Sequence, residues 1–270
     1  MKRGYVTKGS AWALVTGAGS GIGRCFALRL AAMGYNLVLA GDRRENIACT
    51  GAEIEALHEP IRIHLAVCDL ARTESAQELY DAVAAEGIEI DLLINNAGVF
   101  SFCDVLSTSP ERIERIILLH DLTTTQLCRL YAAQMLRRGI KGHILNMSSF
   151  SLWMPFPGLA LYSASKAYLR TFSIAFAKEM RECGIRITAV CPAGVATDLY
   201  GLAPRWQRIG LRMGVLITPD SCARRSLRAL WRGRRCIVPD WWNRALIPLC
   251  QLLPMCIVRP LRKLTLKFQK

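Results

Sequence analysis

Apolar residues along this chain gather into short runs separated by longer stretches of mixed polarity. AWALVT (11–16), NLVLA (36–40), IRIHLAV (61–67), DLLIN (91–95), GHILNM (142–147), IRITAV (185–190) and CIVP (236–239) read as strands. Helix-like segments fall between them, around 22–33, 44–57, 73–86, 111–138, 163–183 and 219–231. Strand and helix alternating at these lengths predict a doubly wound α/β fold, a seven-stranded parallel sheet with helices on both faces. No internal repeat or low-complexity linker interrupts the pattern before about residue 240. One domain over 1–240, with an extension over 241–270, is the expected organisation.

Composition agrees and narrows the function classes. A chain of 270 residues can bury a full core, and 52% apolar with 21% charged residues is a globular balance. The eleven cysteines are scattered singly without CxxC pairs, which predicts reduced thiols in a cytoplasmic setting. Four histidines, and no HExxH or Cys/His cluster, point away from a metal site. The opening MKRGYVTKGS carries no apolar stretch of the secretory type. The net charge of +14 is concentrated late, from Arg224 through Arg235 and again from Arg259 to Lys270. Such a surplus suits nucleic acid, an anionic membrane surface, or water. No nucleic-acid module accompanies it, so nucleic acid is not an expected partner.

Chemistry first enters at VTGAGSGIGR (15–24), between the first strand and the first helix. Gly17 permits a tight turn, and Gly21 and Gly23 clear side chains from a path where backbone approaches a pyrophosphate. The exposed N–H groups and the helix dipole favour that anion. Three glycines alone are weak evidence; strand, loop and helix in this order strengthen it. No Lys-Ser/Thr follows, so a P-loop nucleotidase is not supported.

Thr16-Gly17-x-x-x-Gly21-x-Gly23, Asn95-Asn96-Ala97-Gly98, and Tyr162-x-x-x-Lys166 with Ser149 before it resemble the ordered motifs of the classical short-chain dehydrogenases/reductases. The likeness runs from about residue 10 to 200. It implies a Rossmann fold and an NAD(P)-dependent oxidoreductase acting on a carbonyl or secondary alcohol. Catalysis would rest on Ser149, Tyr162 and Lys166. The cofactor would meet Thr16, Gly17, Ser20, Gly21, Ile22 and Gly23 in the loop, and Asp42 and Arg43 after the second strand. Asp69 and Leu70 would lie at the adenine, Asn96, Ala97 and Gly98 after the fourth strand, and Tyr162 and Lys166 at the nicotinamide ribose. Pro192, Gly194, Val195 and Thr197 would pass the nicotinamide.

The Tyr-Lys pair has a physical reading of its own. At this spacing both side chains share one helix face, about 6 Å apart along the axis. An ammonium about 4 Å from a phenol, at an effective dielectric of about 20, is worth roughly 4 kcal/mol, or about three pKa units. That would bring the tyrosine into range for acid/base work, with Ser149 holding the substrate oxygen. Taken alone, a Tyr and a Lys at helical spacing are more often a surface pair. Two positions depart from the family pattern. Its helix asparagine counts to His120, whose imidazole could hold the water linking the lysine to solvent; a buried helix histidine without a role is the competing reading. Ala193 precedes Gly194 where the family usually has Pro-Gly.

Cofactor choice turns on AGDRREN (40–46). The position where NAD enzymes of the family carry a carboxylate is Gly41; Asp42 and then Arg43 and Arg44 follow. The empty acidic position and two guanidinium groups tilt the reading toward NADP(H), with NAD(H) still open. A lid is expected at about 198–218, with Leu199, Tyr200, Leu202, Trp206 and Leu211 suited to a hydrophobic, lipid- or steroid-like substrate. The apolar run 245–258 is too short and too proline-broken to span a bilayer. With the basic residues after it, a peripheral contact with an anionic membrane is favoured over packing on a sister subunit. A homodimer or tetramer follows from the resemblance. The contrasting class is a dinucleotide-binding regulatory or scaffold protein that has lost catalysis.

Overall fold

The structure is a computed structural model that describes residues 7, 9–57, 61–154, 156–201, 203–240, 243–245, 247–248 and 260. Seven strands pair in parallel: β1 (Trp12–Thr16), β2 (Asn36–Gly41), β3 (Ile63–Val67), β4 (Leu92–Asn95), β5 (His143–Met147), β6 (Arg186–Val190) and β9 (Cys236–Ile237). Their order across the sheet is β3-β2-β1-β4-β5-β6-β9. A second, small parallel pair joins β7 (Gly194–Val195) to β8 (Leu216–Ile217).

Helices cover both faces, as the alternating pattern requires. On one side α1 (Gly21–Ala31), α2 (Arg44–Leu57) and α8 (Pro219–Trp231) press Phe26, Leu30, Ile54 and Leu227 onto Val15, Leu37 and Leu39. On the other, α3 (Ser75–Ala85), α5 (Thr124–Arg137) and α6 (Ala160–Glu179) set Leu79, Tyr131, Met135 and Ala177 against Leu14, Leu93 and Ile144. Helix starts are chemically marked. The Ser109 hydroxyl accepts from the Arg112 N–H at 3.3 Å at the head of α4 (Pro110–Ile117), and Thr218 does the same for Ser221 at 3.1 Å before α8. Both helices open on proline, whose missing N–H costs nothing there.

The helix expected over 111–138 is interrupted. Between α4 and α5 lies a π-helical turn, Leu118–Thr123. Its extra residue lets His120 turn fully inward, and sequence periodicity carries no sign of such an insertion. A further helix, α7 (Pro204–Arg212), and β8 occupy the segment expected to be a lid. The last strand ends at Ile237 rather than at residue 239. Most of the 241–270 extension lies outside the described residues. Among those described, no helix is long and apolar enough to cross a membrane.

β1 is flanked by β2 on one side and β4 on the other, so successive crossovers leave it in opposite directions. Beyond the carboxyl ends of these strands the sheet therefore opens into a crevice.

Candidate active site

The crevice holds a cleft of about 390 Å³. One wall is the loop between β1 and α1. Gly17 (φ +64°) and Gly21 (φ +52°) take left-handed backbone that side chains rarely adopt. A Cβ on Gly17 would come 3.0 Å from the Ala97 Cα, and one on Gly23 would come 2.0 Å from the Gly17 carbonyl oxygen. Gly17 and Gly21 line the cleft with Ser20 and Ile22; Gly23 lets loop and helix close on each other behind it.

Asn96 holds this loop from the next strand over. Its amide donates to the Thr16 carbonyl at 3.0 Å and the Gly17 carbonyl at 3.3 Å. In return the Thr16 hydroxyl accepts from the N–H groups of Asn96 and Ala97, at 2.9 and 3.0 Å. Thr16 is thus buried behind the cleft, a brace for the loop, while Asn96, Ala97 and Gly98 form cleft wall. Deeper, the Asn95 amide donates to the Asn146 side-chain oxygen at 2.8 Å and ties β4 to β5.

The far floor carries the Ser-Tyr-Lys set. Ser149 follows β5 in extended conformation, and its hydroxyl accepts from the Ser151 N–H at 3.1 Å. It lies close enough to the Tyr162 phenol to oppose the effect of burial on it. Tyr162 and Lys166 lie one turn apart in α6, both buried and both at the cleft. Phe100 and His120 pack edge-on against the Tyr162 ring, at centroid distances of 5.1 and 5.9 Å. The ionisation pattern differs from the expectation. Burial pushes the Tyr162 phenol up to about 12, countered only in part by Ser149. Burial brings Lys166 down to about 8, opposed by Asp121. The Lys166 ammonium lies 5.7 Å from the phenol ring centroid and donates to the Met147 carbonyl at 3.2 Å. Desolvation of the phenol therefore outweighs the Coulombic pull that spacing alone suggested.

His120 is fully buried, and both ring nitrogens are engaged. Nε2 accepts from the Val99 N–H at 3.1 Å, which places the proton on Nδ1, 2.9 Å from the Ser165 hydroxyl. The Ser165 hydroxyl in turn donates to the Tyr162 carbonyl at 2.9 Å. Burial, then the Lys166 charge, holds this imidazole well below its usual range, so it stays neutral. With no nitrogen left for a relay water, the role expected of His120 is corrected to one of positioning. The neighbouring Asp121 is the group in electrostatic reach of Lys166; burial raises its carboxyl to about 6, and one of its oxygens is buried without a hydrogen-bond partner. Counting along a regular helix could not separate these two positions, because the π-turn sits under them.

At the other end of the cleft Asp42 and Gly41 form wall, whereas Arg43 and Arg44 are exposed and outside it. Asp69 and Leu70 are cleft residues as expected, with a neighbour the sequence did not suggest. Arg115 of α4 binds both Asp69 carboxylate oxygens, at 3.0 and 3.2 Å, and itself lines the cleft. The 46 residues that separate it from Asp69 leave no local signal. Burial raises the Asp69 carboxyl, but Arg115 and the Ala71 N–H bring it below the ordinary range. Pro192, Val195 and Thr197 line the same cleft as Tyr162 and Lys166. Gly194 lies beneath, where a Cβ would come 2.3 Å from the Leu216 side chain.

Of the expected lid residues, Leu199 lines the cleft; Trp206 is 53% exposed and points elsewhere. Leu211 is half-buried outside the cleft, while Leu202 and the Tyr200 side chain lie outside the described residues. No cluster of metal-ligating side chains exists among the described residues, and all nine cysteines described are free thiols.

A groove with two left-handed glycines at a helix N-terminus fits a dinucleotide's pyrophosphate, since side chains there would fill the space. Comparison with known proteins points the same way. A very-long-chain 3-oxoacyl-CoA reductase of Pyricularia oryzae is 29% identical over 90% of this chain and 72% of its own length. The protein of that name from Anas platyrhynchos is 35% identical over 70% of this chain and 61% of its own. A short-chain dehydrogenase of Sphingobium yanoikuyae, solved in complex with NADPH, superposes with a TM-score of 0.76 at 25% identity, covering 90% of this chain and 96% of that one. The family model described as short chain dehydrogenase matches residues 11–208. The chain accordingly belongs to the short-chain dehydrogenase family and is a nicotinamide-dependent oxidoreductase.

Proposed function

We propose that this protein reduces the carbonyl of a hydrophobic substrate, with 3-oxoacyl thioesters as the leading class. The observation that carries the reading is the convergence of Ser149, Tyr162 and Lys166 at the end of a cleft whose other end is the glycine loop. A bound nicotinamide dinucleotide supplies the hydride. Ser149 and the Tyr162 phenol hold the substrate oxygen. With its pKa near 12 the phenol is protonated at neutral pH and serves as the acid that neutralises the developing alkoxide. Lys166, still mostly an ammonium at pH 7, keeps positive charge on the ribose side of the tyrosine.

The substrate class draws on the relatives' names and on the segment beside the cleft. In α7 and its C-cap, Trp206, Ile209 and Met213 follow one helical face and Arg205, Arg208 and Arg212 another, all exposed. An apolar chain with an anionic carrier would suit that pairing. NADP(H) is the proposed cofactor, supported by Gly41 in place of an acid and by Arg43 and Arg44 just beyond; Asp42 on the cleft wall is the opposing charge. The extension 241–270 as a contact for anionic membranes, and a homodimer or tetramer, belong to the same proposal. Liposome flotation of the full chain against one ending at Pro239, and mass in solution, test them.

The central test is turnover of 3-oxoacyl thioesters and bulky ketones with NADPH and NADH, in wild type and Tyr162→Phe. The expected result is reduction with NADPH that falls at least a thousandfold in Tyr162→Phe, with cofactor binding kept. Dinucleotide binding without turnover across the panel would favour the scaffold reading instead.

A further inference from the structure

Behind the nicotinamide end of the cleft, two cysteines meet across adjacent strands. Cys191 follows β6, is fully buried, and its N–H donates to the Ile237 carbonyl at 2.8 Å. Cys236 lies on β9, is half-buried, and its Sγ is 3.8 Å from that of Cys191. Parallel pairing of Ala189 with Cys236 and Val190 with Ile237 puts both thiols on one face of the sheet. The charged groups facing them are cationic. Arg170, one helical turn beyond Lys166 in α6, rests its guanidinium 5.3 Å from the Trp153 ring centroid and lends positive charge to Cys236; Arg244 adds charge from beyond β9. Lys166 lies within electrostatic reach of Cys191, and the Ser148 hydroxyl, which donates to the Lys166 carbonyl at 2.6 Å, lies beside it. The hydrogen bond between the two thiols, helped by Arg170, lowers Cys236 and raises Cys191. Half-buried beside Arg170, Cys236 is the thiol placed to attack an oxidant, and fully buried Cys191 is the one placed to resolve it.

We propose that Cys191 and Cys236 are an oxidisable dithiol, a site where hydroperoxides write a disulfide that alters the cofactor cleft. The Cys236 sulfur attacks one peroxide oxygen: the S–O bond forms, the O–O bond breaks, and hydroxide leaves, taking up a proton as water. Cys191 sulfur then attacks the Cys236 sulfenic acid; the S–S bond forms, the S–O bond breaks, and the departing hydroxide takes the Cys191 proton. One hydrogen peroxide is reduced to two waters as two thiols become one disulfide. The sulfur atoms must close from 3.8 Å to about 2.05 Å. Cys191 is bonded to Pro192, which lines the cleft and whose carbonyl accepts from the Phe150 N–H at 2.8 Å, next to Ser149. Closing the disulfide pulls on that wall.

This second half rests on the cleft being a dinucleotide site, and the test separates the two. Reduced full-length protein is treated with a few equivalents of hydrogen peroxide, and its mass, peptide map and NADPH and NADH binding are followed. The expected result is a loss of 2 Da mapped to Cys191–Cys236, dinucleotide binding weakened at least fivefold, and recovery with dithiothreitol. Cys236→Ser should form no such bond and keep its binding under peroxide, and Cys191→Ser should stop at a dimedone-reactive sulfenic acid on Cys236. Absence of the Cys191–Cys236 peptide, or its formation at no higher yield than bonds to exposed Cys49 or Cys183, would overturn the site. A mapped disulfide with unchanged binding would overturn the link to the cleft. Reduced protein that binds neither dinucleotide would instead count against the cofactor reading, and the peptide map would still decide the dithiol.

Discussion

Replacing His120 by glutamine gives a direct measure of what the π-turn buries. The imidazole is neutral in the folded chain, held well below 6.5 by burial and by Lys166, whereas in the unfolded chain it takes a proton near 6.5. Below that pH the unfolded state binds the extra proton, so His120 stabilises the fold above about 6.5 and that contribution drains away as pH falls. While the folded imidazole stays neutral, the loss approaches about 1.4 kcal/mol per pH unit below 6.5 and reaches at most about 2 kcal/mol by pH 5.0. Asp121 works in the opposite sense, since its carboxyl is raised to about 6 in the folded chain and gains its proton there first. It is present in both proteins and cancels in their difference. His143, lowered to about 4 by burial and then by Arg186, cancels likewise. Glutamine can still accept from the Val99 N–H and donate to Ser165 without titrating. Urea unfolding of both proteins at pH 5.0, 5.8, 6.5 and 7.5 is the assay. The stability gap between wild type and His120→Gln should be constant at pH 7 and above and should shift by up to about 2 kcal/mol against wild type by pH 5.0. Parallel pH profiles for the two proteins would refute the neutral, doubly bonded histidine.

Two further substitutions test the loop. Asn96→Ala removes donors to the Thr16 and Gly17 carbonyls, so dinucleotide binding measured by fluorescence should weaken about tenfold, with unfolding free energy lower by about 1–2 kcal/mol. Gly17→Ala forces a side chain into left-handed backbone and to within 3.0 Å of Ala97. It should cost about 2 kcal/mol or more and lower the thermal midpoint by several degrees in calorimetry, with dinucleotide binding lost.

Much of the fold was legible because its signals are local. Strands such as NLVLA and DLLIN announce themselves by composition, and the helix over 44–57 begins and ends where its pattern does. The glycine loop was readable because backbone conformation ties glycines to their places, and Asn95-Asn96-Ala97-Gly98, Ser149, Tyr162 and Lys166 through the family resemblance. What depended on distance in sequence was not readable. Arg115 reaches Asp69 only because α4 folds back over the end of β3. Cys191 and Cys236 meet only because β9 lies against β6.

Sequence by itself thus determined the doubly wound layout and the glycine loop, since each rests on spacing within one element or one turn. The family resemblance singled out Ser149, Tyr162 and Lys166, which the fold brings to one cleft. Tertiary structure decided the ionisation of those groups. How far Tyr162 and Lys166 are removed from water depends on Phe100, His120 and the neighbouring strands, and desolvation is a property of the assembled site. It also decided the roles of His120 and Asp121, adjacent in the chain but turned by one π-helical step toward different neighbours.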